Sequence, residues 1–509
     1  MRATVQADVK GIKSIVNMVP VLIGVLVIVI VVWLRRSYSY WSNKGIPGPE
    51  PKWIVGNLGS NIIRKKSFGD IVTEVYRKYD GSRLVGIYRM LTPCLIVRDF
   101  DLLKTVEIKD FSSFHDNDIY VQMSSDVIFG GNPFVLKGED WKEKRTRITN
   151  AFASGKIKAM FASMTKAANQ MVDYLNKVVG DGKTFETLDF SSNYTLQTVL
   201  TCAYGIEVKV FEEPNSQFVK MGKKILQPTT FDGLVFYLAT LYPKITKFIN
   251  VRFANPETTE QVFEMIRAAF DYREKNNTES KDFLGSLAPL RAVFGENSVL
   301  SLASAFFVDG QATTGLVMGC ILHDLANNPE VQEKLRAEVN EYFEKDNGQL
   351  SYESIQEMPY LDACFKESLR TQPVFQFLTK VCTKEYTYTP PDGSHPPVVI
   401  EKGTPVILPI YAVHNDPKYF EEPAKYMPER FLDKDKASTQ YFMPFGDGPR
   451  ACIGRRFGTT QVKTGLAYFI NSFEVSLRPN ADPSIKIDPW EFLSIPIGGF
   501  KVDFKKLQK

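Results

Sequence analysis

The sequence predicts a mainly α-helical fold with small β-sheets, preceded by one N-terminal transmembrane helix. Two observations favour the helical class. Apolar residues recur at helical spacing through most of residues 155–290, and Ser298–Asn327 is a long apolar run that ends just before a proline. Strands are predicted in short stretches such as Arg83–Arg89 and Thr92–Arg98, which alternate like a strand pair. The transmembrane helix is predicted by a separate apolar run near the N-terminus.

Length and composition are those of a globular protein, and they argue against nucleic-acid binding, a zinc site and a disulfide framework. The 509 residues are 44% hydrophobic and 24% charged, which suits one large enzyme fold. The net charge of +4 is small and there is no basic tract, so we expect no nucleic-acid partner. The six cysteines are scattered without a Cys-x-x-Cys pair, which disfavours a zinc site or a disulfide framework.

The apolar run Ile15–Leu34 predicts a single membrane anchor. Its 20 residues match the ~30 Å hydrocarbon core of a bilayer. A cleaved signal peptide and a core helix are the alternatives. However, the run is long for a signal peptide, and aromatic and basic residues follow it in place of a small-residue cleavage site.

The stretch Lys44–Pro51 is rich in proline and glycine and predicts a stiff linker that spaces a globular body from the membrane. The predicted organisation is an N-terminal segment (1–14), the anchor (15–34), a basic, proline-rich linker (35–51) and one globular domain (52–509).

Within the globular domain, several stretches predict specific elements. Ser67–Tyr79 has the pattern of an amphipathic helix. Trp141 and Arg145 lie four residues apart on another predicted helix and so share one face, as a half-buried tryptophan on a surface helix would. Residues 234–253 mix apolar, aromatic and basic side chains, which suits either plain core or a surface that dips into the membrane interface.

The stretch Phe445–Gly454 carries the strongest chemical signal. Cys452 lies in a loop of glycines and a proline, with Arg450 two residues before it and a helix-compatible run after it. Such a loop predicts a sharp turn that can point amide N–H groups at the cysteine sulfur. A thiolate held in this way at a helix N-terminus is stabilised as an anion, which a permanent thiolate ligand to iron requires. The alternative is a buried cysteine in an ordinary turn.

The pattern Phe-x-x-Gly-x-Arg-x-Cys-x-Gly in this loop resembles the haem-binding loop of the cytochromes P450. The resemblance covers the whole chain and implies the cytochrome P450 fold, haem b (iron protoporphyrin IX) as cofactor and Cys452 as the iron ligand. Within that family the chain is most similar to the microsomal insect detoxification branch. Three stretches carry this likeness: Phe111–His115, Tyr272–Asn276 and Tyr426–Phe431.

The same resemblance implies further residues at the cofactor. These are Trp141, Arg145, Lys380 and Arg450 at the two propionates, and Phe445 and Gly446 in the loop around the iron. Lys380 stands where relatives usually carry an arginine, and lysine keeps the charge but loses the bidentate geometry.

Two groups of charged residues have structural or docking roles in the resemblance. Glu367 and Arg370, one turn apart on a predicted helix, would join Arg430 in a cluster that holds the cysteine face together. A solvated ion pair is the alternative. A basic face for an acidic flavoprotein would consist of Lys142, Lys144, Arg147, Arg455 and Arg456. The alternative is a set of solvated side chains without a partner.

The helical segment 309–314 departs from the family pattern. Gly310 and Thr313 match it, but Ala312 stands where an acid usually precedes the threonine, and Asp309 replaces a small residue. Thr313 is expected to help deliver protons, and Asp309, one turn earlier on the same face, is the expected substitute for the missing acid. The alternative is that Asp309 caps a local distortion near Gly310 or is only a polar residue of the pocket.

The resemblance implies a haem-thiolate monooxygenase anchored in the endoplasmic reticulum membrane, with its catalytic domain facing the cytosol. It would insert one oxygen atom from O₂ into a lipophilic small molecule, with electrons from NADPH-cytochrome P450 reductase and with cytochrome b5 as a second donor. The expected lining segments are 115–135, 234–253, 301–313, 374–378 and 492–498. Two alternatives stay open: a reductase-independent hydroperoxide isomerase or dehydratase, and a non-catalytic haem protein that sequesters hydrophobic compounds.

Overall fold

The N-terminal part of the chain is a long helix that leads into the globular body. This computed structural model describes residues 2–179, 186–227, 229–277, 282–393, 396–433 and 439–508. Helix α1 spans Arg2–Tyr38, and its apolar part, Met18–Tyr38, is mostly exposed and long enough to cross a membrane. Within the described residues, Glu296–Asn327 is also long and apolar enough, but it is 78% buried and is therefore a core helix. The prediction of one N-terminal anchor is confirmed.

The body is mainly helical, as the sequence predicts. After α1 the helices are α2 (Tyr40–Asn43), α3 (Gly59–Ile62), α4 (Phe68–Lys78), α5 (Phe100–Lys104), α6 (Val127–Gly130), α7 (Gly138–Thr149), α8 (Ser154–Val178), α9 (Thr187–Tyr204), α10 (Gln217–Lys224), α11 (Thr230–Leu241), α12 (Pro256–Lys275), α13 (Phe283–Leu287), α14 (Arg291–Phe294), α15 (Glu296–Asn327), α16 (Pro329–Lys345), α17 (Tyr352–Glu357), α18 (Pro359–Thr371), α19 (Ile410–His414) and α20 (Arg455–Ser472). A π-helix spans Thr105–Lys109, and short 3₁₀ turns include Pro428–Phe431 and Gly448–Arg450. The amphipathic helix predicted at Ser67–Tyr79 is α4, which begins with a capping box between Ser67 and Asp70.

The strands are short, as predicted. They are β1 (Leu84–Arg89), β2 (Thr92–Val97), β3 (Asp116–Asn117), β4 (Leu378–Val381), β5 (Tyr386–Tyr388), β6 (Val398–Ile400), β7 (Pro405–Leu408), β8 (Phe473–Leu477) and β9 (Val502–Lys506). In the described residues one sheet has the order β1-β2-β7-β4-β3, and the pairs β5-β6 and β8-β9 are separate. Strands β1 and β2 form the predicted pair, antiparallel with Arg89 opposite Thr92. Strand β2 lies parallel to β7, and β4 lies antiparallel to both β3 and β7.

Helix α15 runs through the largest apolar cluster, where it packs against α9, α12, α18 and α20. Its residues Val299–Val308 are all buried, and a helix that is apolar all round belongs in a core. The cysteine loop lies directly before α20, so the packing of α20 against α15 brings this loop to the middle of α15.

The proline-rich linker is packed onto the sheet, which differs from the expectation of a spacer. Trp41 is 2% exposed, and its indole N–H donates to the carbonyl oxygen of Ile87 at 3.1 Å. The amide of Gly86 donates to the carbonyl oxygen of Pro47 at 2.8 Å. A Cβ on Gly86 would lie 2.3 Å from the Trp41 ring, so only glycine leaves room for this contact. The aromatic side chains of the linker are apolar enough to dock on the body, where burial is more favourable than hydration.

Candidate active site

The cysteine loop is the sharp turn that the sequence predicts. The amide of Cys452 donates to the carbonyl oxygen of Phe445 at 2.9 Å and closes the loop. Gly446 and Gly448 have φ values of +67° and +64°, which favour glycine. A Cβ on Gly448 would lie only 2.1 Å from the carbonyl oxygen of Glu107. The turn and the π-helix are therefore packed backbone against backbone.

The surroundings of Cys452 partly offset the cost of burying a thiolate. All six cysteines are described, and Cys452 alone is exposed. Burial raises the pKa of the Cys452 thiol, whereas a hydrogen bond from the Gly454 amide and the charges of Arg145 and Arg455 lower it. Helix α20 begins at Arg455, so its N-terminus also lies beside the sulfur. The sequence predicts both features: a backbone amide that donates to the sulfur and a helix that begins directly after the loop.

Asp309 and Cys452 both face accessible space inside the protein. Both side chains are exposed, yet desolvation by the protein around them raises both pKa values, that of Asp309 to about 6. Such surface deep inside a protein belongs to an internal space. The charge of Asp309 also raises the pKa of Cys452, which puts the two groups within electrostatic reach. The amide nitrogen of Asn132 donates to both carboxylate oxygens of Asp309, at 3.1 and 3.3 Å.

Thr313 does not contact the carboxylate of Asp309. Its hydroxyl donates to the backbone carbonyl oxygen of Asp309 at 2.6 Å, within the helix. The hydroxyl of Thr195 donates to the carbonyl of Gln311 at 2.9 Å, but α15 continues without a break through Gly310. The direct form of the predicted contact between Asp309 and Thr313 is therefore not present. A proton path between the two side chains needs a bridging water.

Arg450 and Trp141 lie together. The guanidinium of Arg450 lies 4.0 Å from the centre of the Trp141 ring and donates to the carbonyl oxygens of His115, Pro133 and Leu136 at 2.8 to 2.9 Å. Burial lowers the pKa of Arg450 to about 10. These bonds attach the loop before α7 to the cysteine turn and keep the charge of Arg450 inside the protein.

Arg145 and Lys380 differ in their partners. The Nη2 atom of Arg145 donates to the carbonyl oxygen of Ala451 at 2.7 Å, next to the cysteine. Burial lowers the pKa of Arg145, and the neighbouring Cys452 raises it. The Nζ atom of Lys380 instead lies 3.1 Å from a carboxylate oxygen of Glu107 and donates to the side chain of Asn117 at 3.1 Å. The charge of Lys380 is thus already matched by an acid inside the protein.

The side chains beside Cys452 fit a haem with two propionates. The buried or half-buried cations in this wall are Arg89, Lys137, Arg145, Lys380 and Arg450, and the carboxylates among them are Glu107, Asp116 and Asp118. In this set the cations outnumber the carboxylates, which suits an anionic ligand such as a propionate. The Nδ1 atom of His115 in the same wall is buried and has no hydrogen-bond partner in the described part of the chain. Among the described residues no group of three or more His, Cys, Asp or Glu side chains could hold a bare metal ion, so a single thiolate ligand to a porphyrin iron suits the site better.

Aromatic side chains bring together four of the five segments predicted to line the pocket. Phe134 and Phe375 are stacked with their ring centres 5.9 Å apart, and Phe375 meets Phe492 edge to face at 5.3 Å. Phe129 meets Phe253 at 4.7 Å. Four stretches that are distant in sequence are therefore adjacent through their rings, and they form an apolar environment.

Comparison with known proteins decides the family. The cytochrome P450 family model matches residues 46–504. The chain belongs to the cytochrome P450 family. It is 33% identical to "Probable cytochrome P450 6a13" of Drosophila melanogaster over 481 residues, which cover 93% of this chain and 96% of that protein. It is 34% identical to "Probable cytochrome P450 6d5" of the same organism (88% and 91% covered) and 31% identical to "Cytochrome P450 6B7" of Helicoverpa armigera (95% and 97% covered). The predicted likeness to insect cytochromes P450 is confirmed, and the protein is a haem monooxygenase of this family.

The glutamate–arginine cluster of this cytochrome P450 is buried and fully bonded. Two nitrogens of Arg370 donate to the carboxylate of Glu367 at 2.8 and 2.9 Å. Arg430 adds a third bond at 3.1 Å, and the amide of Met427 adds a fourth at 2.8 Å. The solvated ion pair that sequence reasoning left open is therefore excluded. The cluster joins α18 to the chain that leads into the cysteine loop.

The predicted basic face is only partly on the surface. Lys142, Arg147, Arg455 and Arg456 are exposed. Lys144 is buried and paired with Asp140 at 2.8 Å, so its inclusion in an exposed face was wrong. It lies one turn after Asp140 on α7 and its side chain folds back along the helix, which the one-turn spacing allows.

The segment 234–253 is neither plain core nor plain surface. Val235, Ala239 and Leu241 are buried, whereas Leu234 and Phe248 are exposed. Helix α11 and the turn after it thus pack one side on the body and present apolar side chains outward.

Sequence reasoning missed two side chains at the site. Glu107 and Asn132 contact Lys380 and Asp309, respectively, although neither pair is close in sequence. An acid on the apolar face of Leu103 and Val106 was the available signal for Glu107. Asn132 lies in a glycine–proline turn whose pattern gives no signal for a ligand role.

Proposed function

We propose that this cytochrome P450 inserts one oxygen atom from O₂ into lipophilic small molecules, including xenobiotics, with NADPH-derived electrons. The observation that carries the proposal is that Cys452 and Asp309 of α15 both face accessible space inside the protein and interact electrostatically. The apolar rings of the predicted lining segments favour lipophilic ligands. The names of the insect relatives support the same class of reaction.

The cofactor of the proposed reaction is haem b with Cys452 as the ligand of its iron. When bound, the haem supplies the activation of dioxygen and the transfer of one oxygen atom to the substrate. The Gly454 amide and the charge of Arg145 oppose the effect of burial on the pKa of Cys452, and coordination to the iron would keep the sulfur deprotonated. Trp141, Arg145 and Arg450 would hold the propionates through their N–H groups. Phe445 and Gly446 give the loop its shape.

Proton delivery is assigned to Thr313 and Asp309. Ala312 has no titratable group, so Asp309 is the acid on α15 that faces the accessible space near Thr313. Because the Thr313 hydroxyl bonds to a backbone carbonyl, the proposed path runs from the carboxylate through a water to the hydroxyl.

The proposed electron donor is NADPH-cytochrome P450 reductase, with cytochrome b5 as a second donor. The exposed side chains of Lys142, Arg147, Arg455 and Arg456 form the docking face, since acidic partners are attracted to a cationic surface. The proposed location is the endoplasmic reticulum membrane, with the body on the cytosolic side. The exposed Phe248, which is 84% accessible, would enter the interface.

The experiment that tests the proposal uses the full-length protein with reductase and NADPH. We expect substrate-dependent NADPH consumption with a monooxygenated product, and a reduced carbon monoxide complex that absorbs at the position typical of thiolate ligation. Cys452→Ala should lose that band, whereas Cys202→Ala, which changes a buried thiol on α9, should keep it. A band unchanged in Cys452→Ala would refute the ligand assignment. Product from a hydroperoxide without reductase, in place of NADPH-dependent turnover, would favour an isomerase or dehydratase.

A further inference from the structure

The π-helix Thr105–Lys109 presents a buried acid to the cysteine loop. Glu107 is 1% exposed, and one of its carboxylate oxygens accepts the amide N–H of Asp447 at 3.0 Å. A Cβ on Gly446 would lie 3.5 Å from the same oxygen. π-Helices are rare and frequently lie at functional sites. Here the wider turn places Glu107 under the loop that carries Cys452.

The second carboxylate oxygen of Glu107 is occupied by Lys380. It lies 3.1 Å from Nζ, in a pair whose two side chains are 1% and 4% exposed. Asn117 accepts another N–H of Lys380 and donates its own side-chain amide to the carbonyl of Phe134 at 2.9 Å. Burial lowers the pKa of Lys380, and the charge of Glu107 raises it. The pair is thus held in one geometry and shielded from solvent.

This arrangement changes the charge balance at the cofactor. A lysine with a buried partner contributes little net field, because the carboxylate cancels it at close range. Among the described residues, Trp141 and Arg145 remain as the groups expected at the propionates without an acidic partner of this kind. Arg450 lies 3.4 Å from Asp116, whose side chain is 17% exposed. Removing one member of a buried pair leaves the other charge uncompensated in a low-dielectric environment.

We propose that Glu107 is a positioning residue of the haem site. It fixes the cysteine loop through the Asp447 amide and neutralises Lys380, so that loss of either member of the buried pair shifts the reduction potential of the iron. The proposal rests on the proposed haem ligation by Cys452. That ligation is tested separately by the carbon monoxide spectrum of Cys452→Ala.

The test compares variants of the pair in the full-length, haem-loaded protein. Glu107→Gln keeps an acceptor for the Asp447 amide but removes the negative charge, so the iron should be easier to reduce. We expect a roughly tenfold change in the reduction equilibrium, which is 59 mV for a one-electron couple. Lys380→Met should shift the equilibrium in the opposite direction, and the double variant should return close to the original value.

A matched control and a loop variant separate electrostatics from structure. Glu139→Gln removes the same charge from an exposed pair with Lys142 and should leave the potential unchanged. Glu107→Leu removes the acceptor as well and should speed haem loss to a haem-accepting globin. The proposal would be overturned if Glu107→Gln and Lys380→Met shifted the reduction potential in the same direction. It would also be overturned if neither shifted the potential more than the control does. If Glu107→Gln takes up no haem, the test rests on Lys380→Met alone. An unchanged reduction potential in that variant would then overturn the proposal.

Discussion

Removing the charge of Glu367 should destabilise the protein more than any change at a surface ion pair. Glu367→Gln keeps the size of the side chain but leaves Arg370 and Arg430 buried without their common anion. The three side chains are 0%, 0% and 6% exposed, so water cannot replace the lost partner. Breaking a buried pair costs roughly 3–5 kcal/mol. Such a loss is a large part of the roughly 5–15 kcal/mol that stabilises a native protein.

The assay is urea unfolding followed by tryptophan fluorescence, together with haem retention from the carbon monoxide spectrum. We expect the unfolded fraction at a given urea concentration to rise roughly a hundredfold to several thousandfold. The control is Glu207→Gln, since Glu207 pairs with Lys166 at 2.7 Å on the surface and should contribute less than about 1 kcal/mol. Equal unfolding midpoints for the two variants would show that the buried cluster carries no special stability.

Two further predictions concern protons. Asp309→Asn should lower product formed per NADPH consumed and raise peroxide release, and adding Ala312→Glu should restore part of the coupling. Unchanged coupling in Asp309→Asn, measured with reductase and a turned-over substrate, would exclude the relay. Acid should destabilise the fold through His414, because burial lowers the pKa of this histidine to about 3 and its Nε2 accepts the Met443 amide at 3.0 Å. The unfolded state takes up this proton below about pH 6.5, so stability falls by about 1.4 kcal/mol per pH unit from there down to the folded pKa. Urea midpoints measured between pH 7 and 5 should show a shallower slope in His414→Gln, and an identical slope would contradict the assignment.

The features that the sequence predicts well are those whose signal is local. Helix α4 has a capping box and an amphipathic pattern, and the loop before Cys452 has glycines at fixed spacing, so both were predictable from a few consecutive residues. The contacts of Glu107 with Lys380 and of Asn132 with Asp309 join residues far apart in the chain. Their existence depends on how α15, the π-helix and β4 pack, which no local pattern contains.

The difference between local signals and long-range contacts also explains why the linker was only partly predicted. Its proline and glycine content correctly indicates that no helix or strand runs through it, and residues 46–51 contain none. The composition does not reveal that Gly86 lies opposite Trp41 on β1, since that contact depends on the sheet having formed. A stretch that is stiff by composition is therefore also fixed by tertiary contacts.

The docking of the linker restricts how the body can turn on the bilayer. Tyr38, the last residue of α1, meets Tyr88 of β1 with ring centres 5.2 Å apart, and its carbonyl accepts the Tyr88 hydroxyl at 2.8 Å. Rotation of the body about the anchor axis would have to break these contacts along with those of Trp41. The rotation of the body about the anchor axis and its tilt relative to the bilayer are thus coupled to the direction of the membrane helix. One side of the body is therefore kept toward the lipid. A water-soluble version should accordingly be cut before Tyr38, because a later cut removes part of the folded body.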